Sequence, residues 1–215
     1  FFNNHSANIK FLTLGYSYTS EHRDFISYPL KGYYLNLSIA KEGLFSGISS
    51  IKNWRFKATY NKYWALKKHW YFSSGVSTML TNDNEQPFFL NQGIGYNKLF
   101  VRGYENYVVY GNSYVLSRNN LKFELLNKKI YLKAIPLKQF NSIYLALYLN
   151  VFTDFGYVDG FDSWQFNNNT LPNTFLFGKG IGLDVVTYYE FVFRFEYSFD
   201  KNNHGGFFFH LQSSL

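Results

Sequence analysis

The sequence predicts an all-β chain, and more specifically an antiparallel transmembrane β-barrel, from three observations. Apolar and polar residues alternate with period two in one segment after another. Many of these segments approach the ~9–11 residues with which a tilted strand crosses a bilayer, and exceed the ~5–6 usual in globular proteins. The face opposite the apolar one carries charged and small residues, which suit a wet lumen and not a dry core.

Composition narrows the alternatives. Of 215 residues, 23% are aromatic, with 25 Phe and 20 Tyr, so the chain is too rich in large apolar rings to be disordered. It has no apolar run of the ~18 residues that a membrane helix needs. The absence of Cys removes a disulfide scaffold, a thiol nucleophile and thiolate metal ligands. A net charge of +7 could indicate nucleic acid, but the basic residues are scattered and no run exceeds a pair (Lys67-Lys68, Lys128-Lys129). No nucleic-acid partner is expected. The chain opens Phe1-Phe2-Asn3-Asn4-His5-Ser6, without an initiator Met or a signal peptide, and is expected to begin inside a longer protein.

The segments follow in order. Leu12, Leu14, Tyr16 and Tyr18 share one face, opposite Thr13, Gly15, Ser17 and Thr19. Tyr33, Leu35, Leu37 and Ile39 repeat the pattern, and Trp54, Phe56, Ala58 and Tyr60 then oppose Arg55, Lys57, Thr59 and Asn61. Trp70, Phe72 and Val76 come next, then a segment around Leu121, Phe123 and Leu125. Ile143, Leu145, Leu147, Leu149 and Val151 face away from Tyr148, Asn150 and Asp154. Phe177, Ile181, Leu183 and Val185 oppose Gly178, Gly180, Gly182 and Asp184. A segment starting at Tyr189 sets Phe191, Phe193, Phe195, Tyr197 and Phe199 against Glu190, Arg194, Glu196 and Ser198, and the last sets Phe207, Phe209 and Leu211 against Phe208, His210 and Gln212. The count is about nine strands with no helix, and Tyr or Trp often closes the apolar face as in an aromatic girdle. Ala65-Leu66-Lys67-Lys68 and Thr187-Tyr188 read as tight turns, whereas about 81–113 and 157–175 read as long loops. Short turns on one side and long loops on the other are the outer-membrane pattern.

Within the first long loop stands Val101-Arg102-Gly103-Tyr104, and some 50 residues later a strand ends in Phe152-Thr153-Asp154-Phe155-Gly156. The pair resembles two signatures of the BamA/TamA superfamily of outer-membrane barrels, the bacterial surface antigen family: the Val-Arg-Gly-Phe/Tyr tip of its lumen-inserted sixth loop and its Phe-x-Asp-x-Gly strand motif. Arg23-Asp24 followed by Pro29 and Gly32 is similar to the family's Arg-Asp…Pro-x-x-Gly turn. Leu121-Lys122-Phe123-Glu124-Leu125 and Gly178-Lys179-Gly180-Ile181-Gly182-Leu183 resemble its later strands. The chain departs from the family by ending Ser213-Ser214-Leu215 where an aromatic residue is common, and it shows no periplasmic POTRA domain.

The resemblance covers nearly all of 1–215 and implies the C-terminal portion of a barrel of roughly sixteen strands, with the upstream half and periplasmic domains outside this sequence. It implies assistance in inserting or translocating proteins at the bacterial outer membrane. The alternatives are a partner-secretion transporter of the same superfamily, or a structural or lipid-associated surface barrel whose activity lies in an attached domain. Implied partners are outer-membrane lipid and lipopolysaccharide, β-rich client polypeptides and accessory lipoproteins.

A guanidinium carried into a lumen on a loop tip needs carboxylates, because an unpaired charge in a partly desolvated space is costly. Strand parity points Asp154 and Glu124 inward. Arg102 is therefore expected to fork onto Asp154, with Glu124 as second acceptor, so that Val101, Arg102, Gly103 and Tyr104 latch the loop to the wall. Gly103 permits the chain reversal, Gly156 leaves room for the loop, and Phe152 packs against it. No enzyme is expected, and no catalytic residue, cofactor or metal: the five His (5, 22, 69, 204, 210) form no i, i+4 pair, and no Gly-x-Ser-x-Gly elbow is present.

Overall fold

The computed structural model describes residues 10–44, 51–82, 93–96, 98–131, 142–160, 170–187 and 191–212. Nine strands span them: β1 (Thr13–Glu21), β2 (Gly32–Glu42), β3 (Asn53–Lys67), β4 (Trp70–Thr81), β5 (Ser113–Tyr131), β6 (Ser142–Asp159), β7 (Leu176–Thr187), β8 (Val192–Phe199) and β9 (Gly205–Gln212). They form one antiparallel sheet in chain order, and no helix occurs among the described residues. Residues 1–6, Tyr188, Tyr189, Glu190 and the terminal Ser213-Ser214-Leu215 lie outside the described residues.

The expectation is about nine strands of a barrel of roughly sixteen, and the nine that form do not close on themselves. Among the described residues β1 and β9 are the outer edges of an open sheet. β1 pairs with β2 on one side and is exposed along almost all of both faces. The sheet nevertheless curls, since β3, β4, β5, β8 and β9 all line one cavity of about 380 Å³ on its inner face.

The two faces have opposite chemistry, inverted relative to a water-soluble sandwich. One register row of the outer face runs Leu121, Val151, Ile181, Tyr197, Phe207, and all five side chains are exposed. On the inner face Lys122, Asn150, Asp154, Asp184, Glu196 and Ser198 are buried. Polar residues on the outer face include one hydrogen-bonded group, where Ser74 donates to Asn119 (2.7 Å) and Asn119 donates to the Thr153 carbonyl (3.3 Å) and the Ser117 hydroxyl (3.4 Å). These groups satisfy one another, which is what an apolar surrounding demands of them.

The inner face is filled in three layers. At the long-loop end, Ile94, Val101, Tyr104 and Val109 of the 82–112 connection pack on Met79, Tyr114, Leu116, Val158 and Leu176 of the wall. At the short-turn end, Tyr28 from the β1–β2 connection packs with Ala146, Tyr148 and Val192. Charged side chains occupy the space between.

Two connections differ from expectation. Alternation carries β3 through Ala65 and Leu66 to Lys67, so the turn is Lys68-His69, with His69 at φ 69°. A bulge between Ala65 and Lys67 accommodates the extra Leu66. The β7–β8 turn is longer than Thr187-Tyr188: the Thr187 N–H donates to the Phe191 carbonyl (2.9 Å), and β8 begins at Val192.

The β1–β2 connection is organised by one carboxylate. Asp24 Oδ1 accepts the N–H groups of Phe25 (2.9 Å), Leu30 (3.0 Å) and Lys31 (3.2 Å), and the Asp24 N–H donates to the Lys31 carbonyl (3.1 Å). Gly32 then takes φ +100°, where an added Cβ would collide with the His22 carbonyl. Replacing Asp24 by Ala strands three N–H groups. The variant is expected to be cut by trypsin after Arg23 or Lys31 under conditions that leave the parent intact, as read by mass spectrometry of the fragments.

Candidate functional site

Val101-Arg102-Gly103-Tyr104 folds as a β-turn. The Tyr104 N–H donates to the Val101 carbonyl at 2.9 Å, and Gly103 takes φ +95°, the value that third turn positions of type II require. Val101 is fully buried in the loop-end cluster and Arg102 is 4% exposed. The Tyr104 hydroxyl accepts the Lys201 N–H (3.1 Å) from the β8–β9 turn, so the tip is held from both sides.

Arg102 and Asp154 meet in a fork. Nε donates to Oδ2 at 2.8 Å, Nη2 to Oδ1 at 2.5 Å, and the Arg102 backbone N–H also reaches Oδ2 at 3.1 Å. Nη1 donates to Asn120 Oδ1 (2.7 Å) and Glu196 Oε1 (3.2 Å). The guanidinium lies over the Phe152 ring, 3.8 Å from its centroid. Bidentate pairing on a carboxylate with an aromatic face beneath is an arrangement that an ammonium cannot reproduce.

Glu124 is not the second acceptor. It sits four residues from Asn120, the β5 residue that holds Arg102, about 13 Å further toward the short-turn end. There it accepts from Asn127 (3.3 Å), Tyr71 (3.4 Å) and Tyr148 (3.4 Å) and pairs with His69 (3.0 Å). Parity assigns a residue to a face; depth along the strand assigns its partners. Glu196, also inward by parity, lies at the right depth.

Glycines of β6 and β7 make room for the tip. A Cβ on Gly156 would run into the Val101 side chain at 2.5 Å, and one on Gly178 would collide with the Arg102 carbonyl. A Cβ on Gly180 would strike the Phe152 ring at 2.5 Å. Gly156, Phe152 and Asp154 thus contact the tip from β6, and Gly178 and Gly180 complete the cradle from the neighbouring strand.

Sequence reasoning missed a second clamp. Arg194 donates from Nε to Asp184 Oδ1 (2.7 Å) and from Nη2 to Oδ2 (3.2 Å), and the Tyr28 hydroxyl donates to the same Oδ2 (2.8 Å). Burial, reinforced by the Asp184 charge, pushes the Tyr28 phenol well above the usual tyrosine range and keeps it a donor. Lys122 Nζ lies 3.9 Å from the Tyr28 ring centroid. Arg118 holds the loop's approach, donating from Nε and Nη2 to the Phe100 carbonyl (3.1 and 2.5 Å) and from Nη2 to that of Lys98 (2.8 Å). The signal for Arg118, Lys122, Asp184 and Arg194 was inward parity on their strands, which carries no information on depth; Tyr28, in a connection, carried no such signal.

No family model and no curated protein matches this chain. The arrangement is therefore read on its geometry: a loop tip seated on the inner wall of a curled sheet by a buried, multiply hydrogen-bonded ion pair.

Arg102→Ala leaves Asp154 buried without its counter-charge, and removing one partner of such a pair costs about 3–5 kcal/mol. The loop should become protease-sensitive and the folded species should melt at lower temperature. Gly178→Ala is expected to loosen the same loop without touching a charge, whereas Gly15→Ala on β1, whose added Cβ meets only ordinary contacts at 3.4–3.9 Å, should leave both readouts unchanged. Equal behaviour of the two glycine variants contradicts the cradle.

Proposed function

We propose that this chain is the C-terminal part of an outer-membrane β-barrel of the BamA/TamA superfamily, which assists insertion or translocation of proteins at the bacterial outer membrane. The observation that carries the reading is the Arg102 tip of the 82–112 loop, seated inside the sheet on Asp154. A soluble sheet has no need to bring its longest connection back over its own polar face.

The inverted faces support the membrane part of the proposal. Row after row of Leu, Ile, Phe and Tyr is exposed while carboxylates and guanidinia are buried, an arrangement that water disfavours on the outside and lipid favours. Open edges cannot persist in hydrocarbon, because every unpaired N–H and C=O there costs several kcal/mol. The proposal therefore includes closure of β1 and β9 by further strands. Client strands would be templated at the seam between first and last strands, where unpaired backbone groups can be offered in register. Outer-membrane lipid and lipopolysaccharide contact the apolar face in this reading, and β-rich polypeptides are the clients.

Two measurements test it. Ile181, 57% exposed at the centre of the apolar row, is predicted to tolerate Leu but not Lys, since a lysine facing lipid near the midplane costs about 2–4 kcal/mol. The full-length Ile181→Lys protein should lose its heat-modifiable band and its membrane fractionation, while a parent that stays monodisperse without detergent overturns the membrane assignment. Depleting the full-length protein in its own host should lower the amount of folded outer-membrane barrels. Loss of a single secreted polypeptide, with the other barrels unchanged, indicates the partner-secretion reading instead.

A further inference from the structure

Beside the clamp, three ligand-type side chains from different elements converge. Glu105 comes from the long loop, Glu196 from β8 and His210 from β9, and one donor atom of each lies within 4.8 Å of the others. His210 Nε2 stands 2.9 Å from Glu105 Oε2 and 3.6 Å from Glu196 Oε2. Neither approach is aligned as a hydrogen bond: Nε2, Glu105 Oε1 and Glu196 Oε2 are all buried without a hydrogen-bond partner. The Glu196 side chain is 1% exposed and that of Glu105 7%. Buried polar atoms left in this state are costly, and two of them, His210 Nε2 and Glu196 Oε2, face each other at 3.6 Å beside the Glu105 carboxylate and call for a common partner.

The other carboxylates nearby are already engaged. Asp154 and Asp184 are each taken bidentately by an arginine, Arg102 and Arg194. Arg102 approaches Glu196 through Oε1, at 3.2 Å, so Oε2 is left facing the imidazole. The Phe100 ring stacks on His210, centroids 5.8 Å apart at 24°, and Arg118 in turn holds the Phe100 carbonyl. The imidazole plane is thereby fixed by the same loop that supplies Glu105.

We propose that Glu105, Glu196 and His210 form a site for one divalent transition-metal ion of the zinc class. Zinc takes His nitrogen and carboxylate oxygen at about 2.0–2.2 Å, which sets donor atoms of a tetrahedral centre a little over 3 Å apart. The present spacings need only small rotamer adjustments to meet that. The cavity bordered by Glu196 and His210 offers the fourth position to a water. Bound there, the ion ties the inserted loop to the last two strands of the sheet, β8 and β9.

The test uses the full-length protein folded in detergent, stripped with a chelator and then loaded with Zn²⁺ or Co²⁺. Expected results are one ion retained per chain after gel filtration, a visible Co²⁺ absorption band of a four- or five-coordinate site, and a rise in melting temperature on Zn²⁺ addition. His210→Ala and Glu105→Gln should each abolish retention and the melting shift, while His69→Ala, at the opposite end, keeps both. Glu105→Gln alters a loop residue outside the strands, so it reports even where the β9 variant fails to fold. No retained ion in the parent, or parent-level retention in Glu105→Gln, overturns the site. Both readouts are independent of whether the protein inserts, translocates or does neither.

Discussion

The position of the long loop depends on a single constraint: a guanidinium removed from water must have its donors met. Arg102 meets it with Asp154, Asn120 and Glu196, and with the face of Phe152. These partners come from β5, β6 and β8, so only one location on the inner wall satisfies all of them. Everything nearby is shaped by that requirement. Gly178 and Gly156 lack side chains where the tip backbone and Val101 press in, and Gly103 adopts the left-handed conformation that turns the chain away. An ion pair of this kind adds little net stability over an apolar pair of the same shape, but it specifies one seat. Specification is what a long loop lacks otherwise, because the entropy of closing it is indifferent to where its tip lands.

The layering of the interior follows from the same bookkeeping of polar groups. The loop and the β1–β2 connection enter from opposite ends, each bringing an apolar or aromatic surface that closes off its end. Charges between these plugs are shielded from bulk water, so each must find a partner: Arg194 takes Asp184, Tyr28 caps the same carboxylate, and Arg118 takes backbone carbonyls. The outer face contributes nothing to this network. Its side chains are largely exposed, so burial within the sheet draws only part of the stabilisation that their apolar surface could supply.

Much of this was legible in the residues, and the boundary of legibility is physical. Period-two alternation identified the strands and their two faces because the side-chain period of a strand is fixed. The Arg102–Asp154 contact was anticipated because the resemblance implied an inserted loop tip, whose guanidinium needs a carboxylate, and strand parity pointed Asp154 inward. Glu124, an inward carboxylate by the same parity, lies elsewhere, since register and depth depend on hydrogen-bond pairing that no local pattern encodes. Closure lies beyond the pattern in the same way: alternation describes each strand and is silent on whether the first and last of a barrel meet. The turn at Lys68-His69 was misplaced because two adjacent lysines look like a polar break, although the apolar parity of Ala65 and Leu66 already continued the strand toward it.

The strengths of the ladders are unequal, and the clamp sits on the strong side. β5 and β6 are 19 and 18 residues long and pair from Ser113↔Asp159 to Tyr131↔Ser142. β8 and β9 are 8 residues each, and β9 has no second neighbour. Asp154, Asn120 and Phe152, three of the four groups that hold Arg102, lie on the long pair. On the short pair, Glu196 connects Arg102 to β8, and Glu105 and Phe100 connect the loop to β9 through His210. A displacement of β9 therefore breaks one ladder of eight residues and the His210 contacts, and leaves the Arg102–Asp154 fork intact. Under the proposed function this division has a mechanical meaning: the loop is anchored to the wall that must not move, and touches the edge that must open through contacts few enough to be released.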